Sequence, residues 1–195
     1  MSLSTEPTDL VPASSDALSR LLGVSDMAVA LCRSALFIDL HIDTLIPPRL
    51  WGYDIFKRHR PWLGGRFFGH LDVPRLEQVS MDGAMWSITT NPFRTAKGRY
   101  RAFLRNLDHF SGQIEANPQR LRWIRDAGEL RGEGIGVLLS IQGGNALEAA
   151  DDSVWTALDH RLTRVTLVHL TNSVYGASNA PVHRFARHKG LTAAG

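Results

Sequence analysis

The run Asp39-Leu40-His41-Ile42-Asp43 sets an imidazole between two carboxylates at alternate positions. It follows the apolar Ala35-Leu36-Phe37-Ile38, which reads as a strand. Side chains alternate faces along a strand, so Asp39, His41 and Asp43 are expected on one face. A carboxylate beside an imidazole at the end of a buried strand suits a divalent metal. The same residues also suit a strand-end cap or the wall of a wet loop, and the pattern alone leaves both readings open. Two ligands do not saturate a metal, so partners must come from other strand ends.

Two further strands end in groups of the right kind. Gly136-Val137-Leu138-Leu139-Ser140-Ile141 is the clearest strand and runs into Gln142-Gly143-Gly144. A Gly-Gly pair lets backbone approach a site closely, and it equally makes a tight strand-to-helix turn. Arg164-Val165-Thr166-Leu167-Val168 reads as another strand, ending in His169. A lone histidine in such a place is more often a hydrogen-bonded loop residue than a ligand. His41, Asp43, Gln142 and His169 are more persuasive together, because all follow strand ends, and they are expected to converge at one end of a sheet.

The elements that must position these groups can be read from pattern. Ser25 and Asp26 can cap a helix through Met27-Ala28-Val29-Ala30-Leu31. An irregular stretch from Pro47 to Gly69 follows the first strand, and a loop so long inside a domain usually covers something. Asp72-Val73-Pro74-Arg75-Leu76 reads as a helix start with proline in the first turn. Gly83-Ala84-Met85-Trp86-Ser87-Ile88 is a strand candidate. From Lys97 to Glu115, the residues Phe103, Leu104, Leu107, Phe110 and Ile114 recur at helical spacing and are expected to face the core. A further helix is expected from Val154 to Leu162. Strands separated by helices indicate a parallel α/β architecture. Parallel strands are expected near 36–40, 83–88, 136–141 and 165–169, with helices on one side. That is half of an eight-stranded TIM-like (β/α)8 barrel, whose chemistry sits at the C-terminal strand ends. Residues 1–16 read as a flexible leader and 17–195 as the half-barrel.

Composition narrows the classes. The chain has 195 residues, 44% of them hydrophobic, and a net charge of +3, as expected of one globular domain. No apolar run is long enough to span a bilayer. Met1 to Asp16 lacks the basic start and apolar core of a signal peptide, so a cytoplasmic location is expected. The single cysteine, Cys32, excludes an internal disulfide and a cysteine-based zinc cluster; it reads as a small packing residue. The basic clusters Lys57-Arg58-His59-Arg60 and Arg99 to Arg105 read as solvated faces, and no nucleic-acid-binding module is recognisable.

At these residues the chain resembles the membrane (renal) dipeptidase family of zinc metallopeptidases. The stretches that carry the resemblance are Ile38-Asp39-Leu40-His41-Ile42-Asp43-Thr44, Gly69-His70-Leu71-Asp72-Val73-Pro74-Arg75-Leu76 and Gly83-Ala84-Met85-Trp86-Ser87. Val137 to Gly144, Arg164 to His169 and Gly190-Leu191-Thr192 continue it in the family's order. The resemblance implies a (β/α)8 barrel with two zinc ions at the strand ends, hydrolysing a dipeptide-like small substrate. It implies that His41 and Asp43 bind one zinc, that position 142 bridges the two ions, and that His169 contacts the substrate and helps catalysis. It further implies a bridging hydroxide as nucleophile, its pKa lowered by the metals.

Two departures bear on those expectations. The family's bridging Glu is Gln142 here, and a neutral amide bridges two cations poorly. The second zinc's histidines, a substrate-binding Arg and a late Asp lie in the family beyond the stretch that matches this chain. His183 and His188 match none of them and read as loop histidines. The expectation is a zinc metallodipeptidase half-barrel with one or two ions, inactive alone. The alternative is a non-catalytic half-barrel that acts by forming a homodimer or by pairing with a complementary C-terminal half.

Overall fold

In the computed structural model, residues 14–46, 52–59, 71–151, 153–158, 161–180 and 190–195 are described. Ser14 caps α1 (Ser15–Leu22), which ends on Gly23 in the left-handed region at φ 67°. Ser25 caps α2 (Asp26–Ser34). Then follow β1 (Ile38–Ile42), α3 (Val73–Gln78), β2 (Gly83–Thr89), α4 (Ala96–Ala116), β3 (Leu121–Trp123), β4 (Ile135–Gln142), α5 (Ser153–Leu158) and β5 (Leu162–Thr166).

The sheet is built on β2 and β4. Both are buried almost throughout, which is why they read as near-continuous apolar runs. They pair in parallel without a break from Gly83 opposite Gly136 to Thr89 opposite Gln142. β1 joins the other edge of β2 in parallel, with a register shift between Asp39 and Ile42. β5 joins β4 in parallel along Leu139–Gln142. The path β1-β2-β4-β5 is thus a run of parallel neighbours, the first part of a barrel wall. β3 pairs with Ile135–Val137 at the start of β4, on the edge that β5 takes further along.

The alternation of side chains divides the sheet into two faces. Trp86, Val137, Leu139 and Ile141 meet Phe103, Leu107, Phe110 and Ile114 of α4 in one core cluster. The Trp86 and Phe110 rings lie 5.1 Å apart at a 40° tilt. The opposite face begins with an apolar layer of Met85, Leu138 and Ile124 and turns polar toward the strand ends.

Several expectations are corrected. β1 starts two residues later than expected and β5 ends at Thr166, so His169 stands three residues past its strand. β3 had no signal: at three residues it is too short for alternation to show. The bulge in β1 breaks the expected single face, and the Asp39 carboxylate turns back to accept the His41 backbone N–H at 2.8 Å. Ser15 and Asp16, placed in the leader by the sequence, open α1. Cys32 is exposed, on an apolar groove with Leu18, Leu22, Val29, Phe37 and Val79. Arg99 is buried rather than solvated. Much of the stretch from Pro47 to Gly69, together with His70, His183 and His188, lies outside the described residues.

The described part of that stretch, Gly52 to His59, is tied to the start of α3. Asp72 is fully buried, accepts the His59 and Arg75 backbone N–H groups at 3.0 Å each, and pairs with the Arg75 guanidinium. Val73 donates to the Ile55 carbonyl at 2.8 Å. The Tyr53 and His59 rings stack at 3.6 Å, and the Tyr53 hydroxyl donates to the Leu71 carbonyl at 3.1 Å. Burial, and then the Asp72 carboxylate, push the Tyr53 phenol up to about 12. An unfolded tyrosine loses its proton near pH 10, so above that pH the unfolded state alone releases it. Tyr53 is therefore expected to support stability fully below about pH 10 and less as pH rises toward 12. Comparing urea midpoints of wild type and Tyr53→Phe across that range checks this; parallel curves would contradict it.

Candidate functional site

On the inner face, the parallel register stacks polar residues in two layers above the apolar one. Ser87 lies opposite Ser140, and Thr89 opposite Gln142. Ser87 and Ser140 are fully buried and their hydroxyls are 2.7 Å apart. Thr89 donates to the Gln142 side-chain oxygen at 2.8 Å and has a long contact, 3.5 Å, to Asp43 Oδ1.

His41 arrives from the bulged end of β1 and stands over these layers. Its Nε2 is 3.4 Å from Asp43 Oδ2 and 3.2 Å from the Gln142 side-chain nitrogen. Its Nδ1 is 3.1 Å from Ser87 Oγ. The side chains of His41 and Asp43 remain 40% and 38% exposed, so the group opens to solvent. Arg164, from β5, reaches across the inner face. It donates Nη1–H to the Leu40 carbonyl at 3.0 Å, and its Nη2 stands 2.9 Å from His41 Nδ1.

Three of the four expected site residues, His41, Asp43 and Gln142, thus come into contact. His169 does not join them: its ring hydrogen-bonds none of the three. Its backbone is nonetheless adjacent, since its Cβ lies 3.7 Å from the point where a Cβ on Gly143 would stand. The Ser178 hydroxyl donates to its carbonyl at 2.6 Å. Sequence reasoning missed Ser87, Thr89, Ser140 and Arg164. A signal for the strand pairs was available: Ser140 stands two positions back from Gln142, as Ser87 does from Thr89.

The turn after β4 holds Gln142 in place. Gly143 has φ 105°, a conformation open mainly to glycine, and a Cβ on Gly144 would stand 2.8 Å from the Leu167 carbonyl oxygen. Gly143 and Gly144 donate to the carbonyls of Thr166 and Leu167 at 3.2 and 3.3 Å, which stitches the turn to the chain leaving β5. Asn145 donates to Thr171 at 2.9 Å, and its carbonyl accepts from Arg99 at 2.9 Å. Arg99 pairs with Glu148, whose other oxygen accepts the Val174 N–H at 3.0 Å.

As donors, His41, Asp43 and Gln142 offer an imidazole, a carboxylate and an amide oxygen, which suits one divalent ion. Among the described residues, no three His, Cys, Asp or Glu side chains gather into a metal-binding group. The described donors therefore fit a first ion in part and do not fit a bridged second one.

The molecule is a parallel barrel segment with its polar residues gathered at the C-terminal strand ends. Residues 25–195 match the membrane dipeptidase family, peptidase family M19, and the chain belongs to that family. No curated protein sequence matches it significantly. Among solved structures it is similar to a dipeptidase described as a metallopeptidase of family M19, at 23% identity and TM-score 0.57, over 72% of this chain and 45% of that one. An amidohydrolase from Pseudomonas aeruginosa matches at 17% identity and TM-score 0.56, over 85% of this chain and 42% of that one. A metallopeptidase from Rhodobacter sphaeroides, solved with a phosphinate mimic of the dipeptide L-Ala-D-Ala, matches at 19% identity and TM-score 0.57, over 72% and 47%. These likenesses carry the fold, and the chain spans less than half the length of each of these structures.

The Arg99–Glu148 pair is the device that holds the loops under the site, with side-chain exposures of only 12% and 14%. Glu148→Gln keeps the shape and leaves the Arg99 cation without its counter-charge. The expected loss is about 2–3 kcal/mol, read from the urea unfolding midpoint. A loss below about 0.5 kcal/mol would mean the pair behaves like a solvated surface bridge.

Proposed function

We propose that this chain contributes the first-metal half of a barrel that hydrolyses dipeptide amide bonds with a zinc ion. The convergence of His41, Asp43 and Gln142 at the ends of parallel strands of one sheet carries this reading, supported by the family to which the chain belongs. His41 Nε2, the Asp43 carboxylate and the Gln142 amide oxygen would hold the ion. When bound, it would polarise the scissile carbonyl and lower the pKa of water.

The chain's own residues do the positioning. Thr89 braces Gln142 and stands beside Asp43. The Gly143-Gly144 turn sets Gln142 and brings the His169 backbone alongside. His169 is proposed to contact the substrate from that loop. Gln142 brings a dipole where a bridging carboxylate would bring a full charge, which weighs against a second ion.

With this donor set, the 195-residue chain is expected to bind zinc weakly and to show no appreciable turnover of dipeptides such as L-Ala-D-Ala. Gln142→Glu should tighten zinc binding by less than about tenfold, measured by calorimetric titration. Robust zinc-dependent hydrolysis by the unmodified chain would refute the proposed incompleteness.

A second reading, that the half-barrel works by pairing with another half, is favoured by one observation. Leu40 on β1 is 60% exposed, and Leu36 and Phe37 just before it are 37% and 48% exposed; Met27 and Leu31 of α2 are exposed as well. Apolar residues along an edge strand invite a partner. If a second copy closes the wall, light scattering should give a dimer that Phe37→Lys with Leu40→Lys returns to monomer; a wild-type monomer would contradict self-pairing.

A further inference from the structure

We propose that Arg164 sets the tautomer of His41 and so competes with a metal ion for that imidazole. The inference rests on the reading of His41 as a metal ligand. An arginine side chain is always charged and has donors only. With its Nη2 2.9 Å from His41 Nδ1, it requires a lone pair at Nδ1. A neutral imidazole then carries its proton on Nε2.

The rest of the network agrees with that assignment. Nε2–H faces Asp43 Oδ2 at 3.4 Å. The Gln142 side-chain nitrogen, 3.2 Å from Nε2, would set donor against donor. Half a turn of the amide removes the conflict: its oxygen then accepts from Nε2–H and its nitrogen donates to Thr89, 2.8 Å away. The Thr89 hydroxyl lies 3.5 Å from Asp43 Oδ1. The donor–donor clash at Nε2 is then removed, and the order of donors starts at Arg164.

A metal at Nε2 needs the opposite tautomer, with the proton on Nδ1 and an acceptor for it. Ser87 Oγ, 3.1 Å from Nδ1, can accept that proton while giving its own to Ser140. Arg164 cannot remain at Nδ1 in that state, because two donors would face each other. Loading an ion on His41 therefore requires the guanidinium to withdraw. Arg164 is held across the sheet by the Leu40 carbonyl, and its buried Nε has no hydrogen-bond partner among the described residues. Arg164 lies opposite Ser140, which in turn lies opposite Ser87, in the paired strands. Arg164 is in this sense a positioning residue, acting through His41.

The test is nitrogen-15 NMR of the metal-free protein at about pH 8, where an ordinary imidazole is neutral, followed by zinc titration. The expected result is an Nε2–H tautomer for His41 in wild type. Arg164→Met should convert it to Nδ1–H and tighten zinc binding on the order of tenfold. Ser87→Ala, which leaves Arg164 in place, should keep Nε2–H and weaken zinc binding. An Nδ1–H tautomer in wild type, or one unchanged by Arg164→Met in a protein with native circular dichroism, would overturn the proposal. If Arg164→Met does not fold, Nδ1–H in Ser87→Ala overturns it alone. Absence of zinc binding in all three proteins, with the tautomer change observed, would overturn the metal-site reading and leave the tautomer assignment standing.

Discussion

The unbroken parallel ladder between β2 and β4 is the constraint on which the rest depends. Its register puts Ala84, Trp86 and Ile88 in phase with Val137, Leu139 and Ile141 on the helix side. The same register puts Met85, Ser87 and Thr89 in phase with Leu138, Ser140 and Gln142 on the inner side. A shift of one residue would send Trp86 into the polar layer and Gln142 into the core. The apolar packing of α4 therefore fixes, at a distance, which side chains can meet at the strand ends.

The inner face grades from apolar to polar along the strands. Met85, Leu138 and Ile124 form its closed base, and buried hydroxyls its middle. The titratable groups stand at the open end, where His41 and Asp43 keep contact with water. A charged group costs least where solvent and hydrogen-bond partners can still reach it, so this gradient is what permits the cluster to exist. The buried Arg99–Glu148 pair serves the same end from outside, holding the loops after β4 and β5 against α4.

The site also shows how charge and tautomer divide the work around one imidazole. His41 is approached by a carboxylate and an amide on one ring nitrogen and by a hydroxyl and a guanidinium on the other. An amide at position 142 attracts cations less than a carboxylate would, and a guanidinium alongside lowers the attraction again. Both features act in the same direction on any ion at His41.

Much of this was legible in the chain itself. Apolar runs and helical spacing located β2, β4 and α4 closely, because long apolar stretches must be buried and few arrangements bury them. The meeting of positions 41, 43 and 142 was legible because strand ends confine them to one rim. Contacts between residues far apart in sequence were decided by the tertiary structure alone. Arg99 read as a solvated base until Glu148 was brought against it, and Arg164 read as a strand residue until β5 faced β1 across the sheet. The β1 irregularity, with Asp39 turned back onto the His41 backbone N–H, depends on pairing with β2 and has no local signature. Local pattern reports which face a residue prefers; only packing decides what it meets there, because hydrogen bonds between distant side chains depend on register and reach that no single segment encodes.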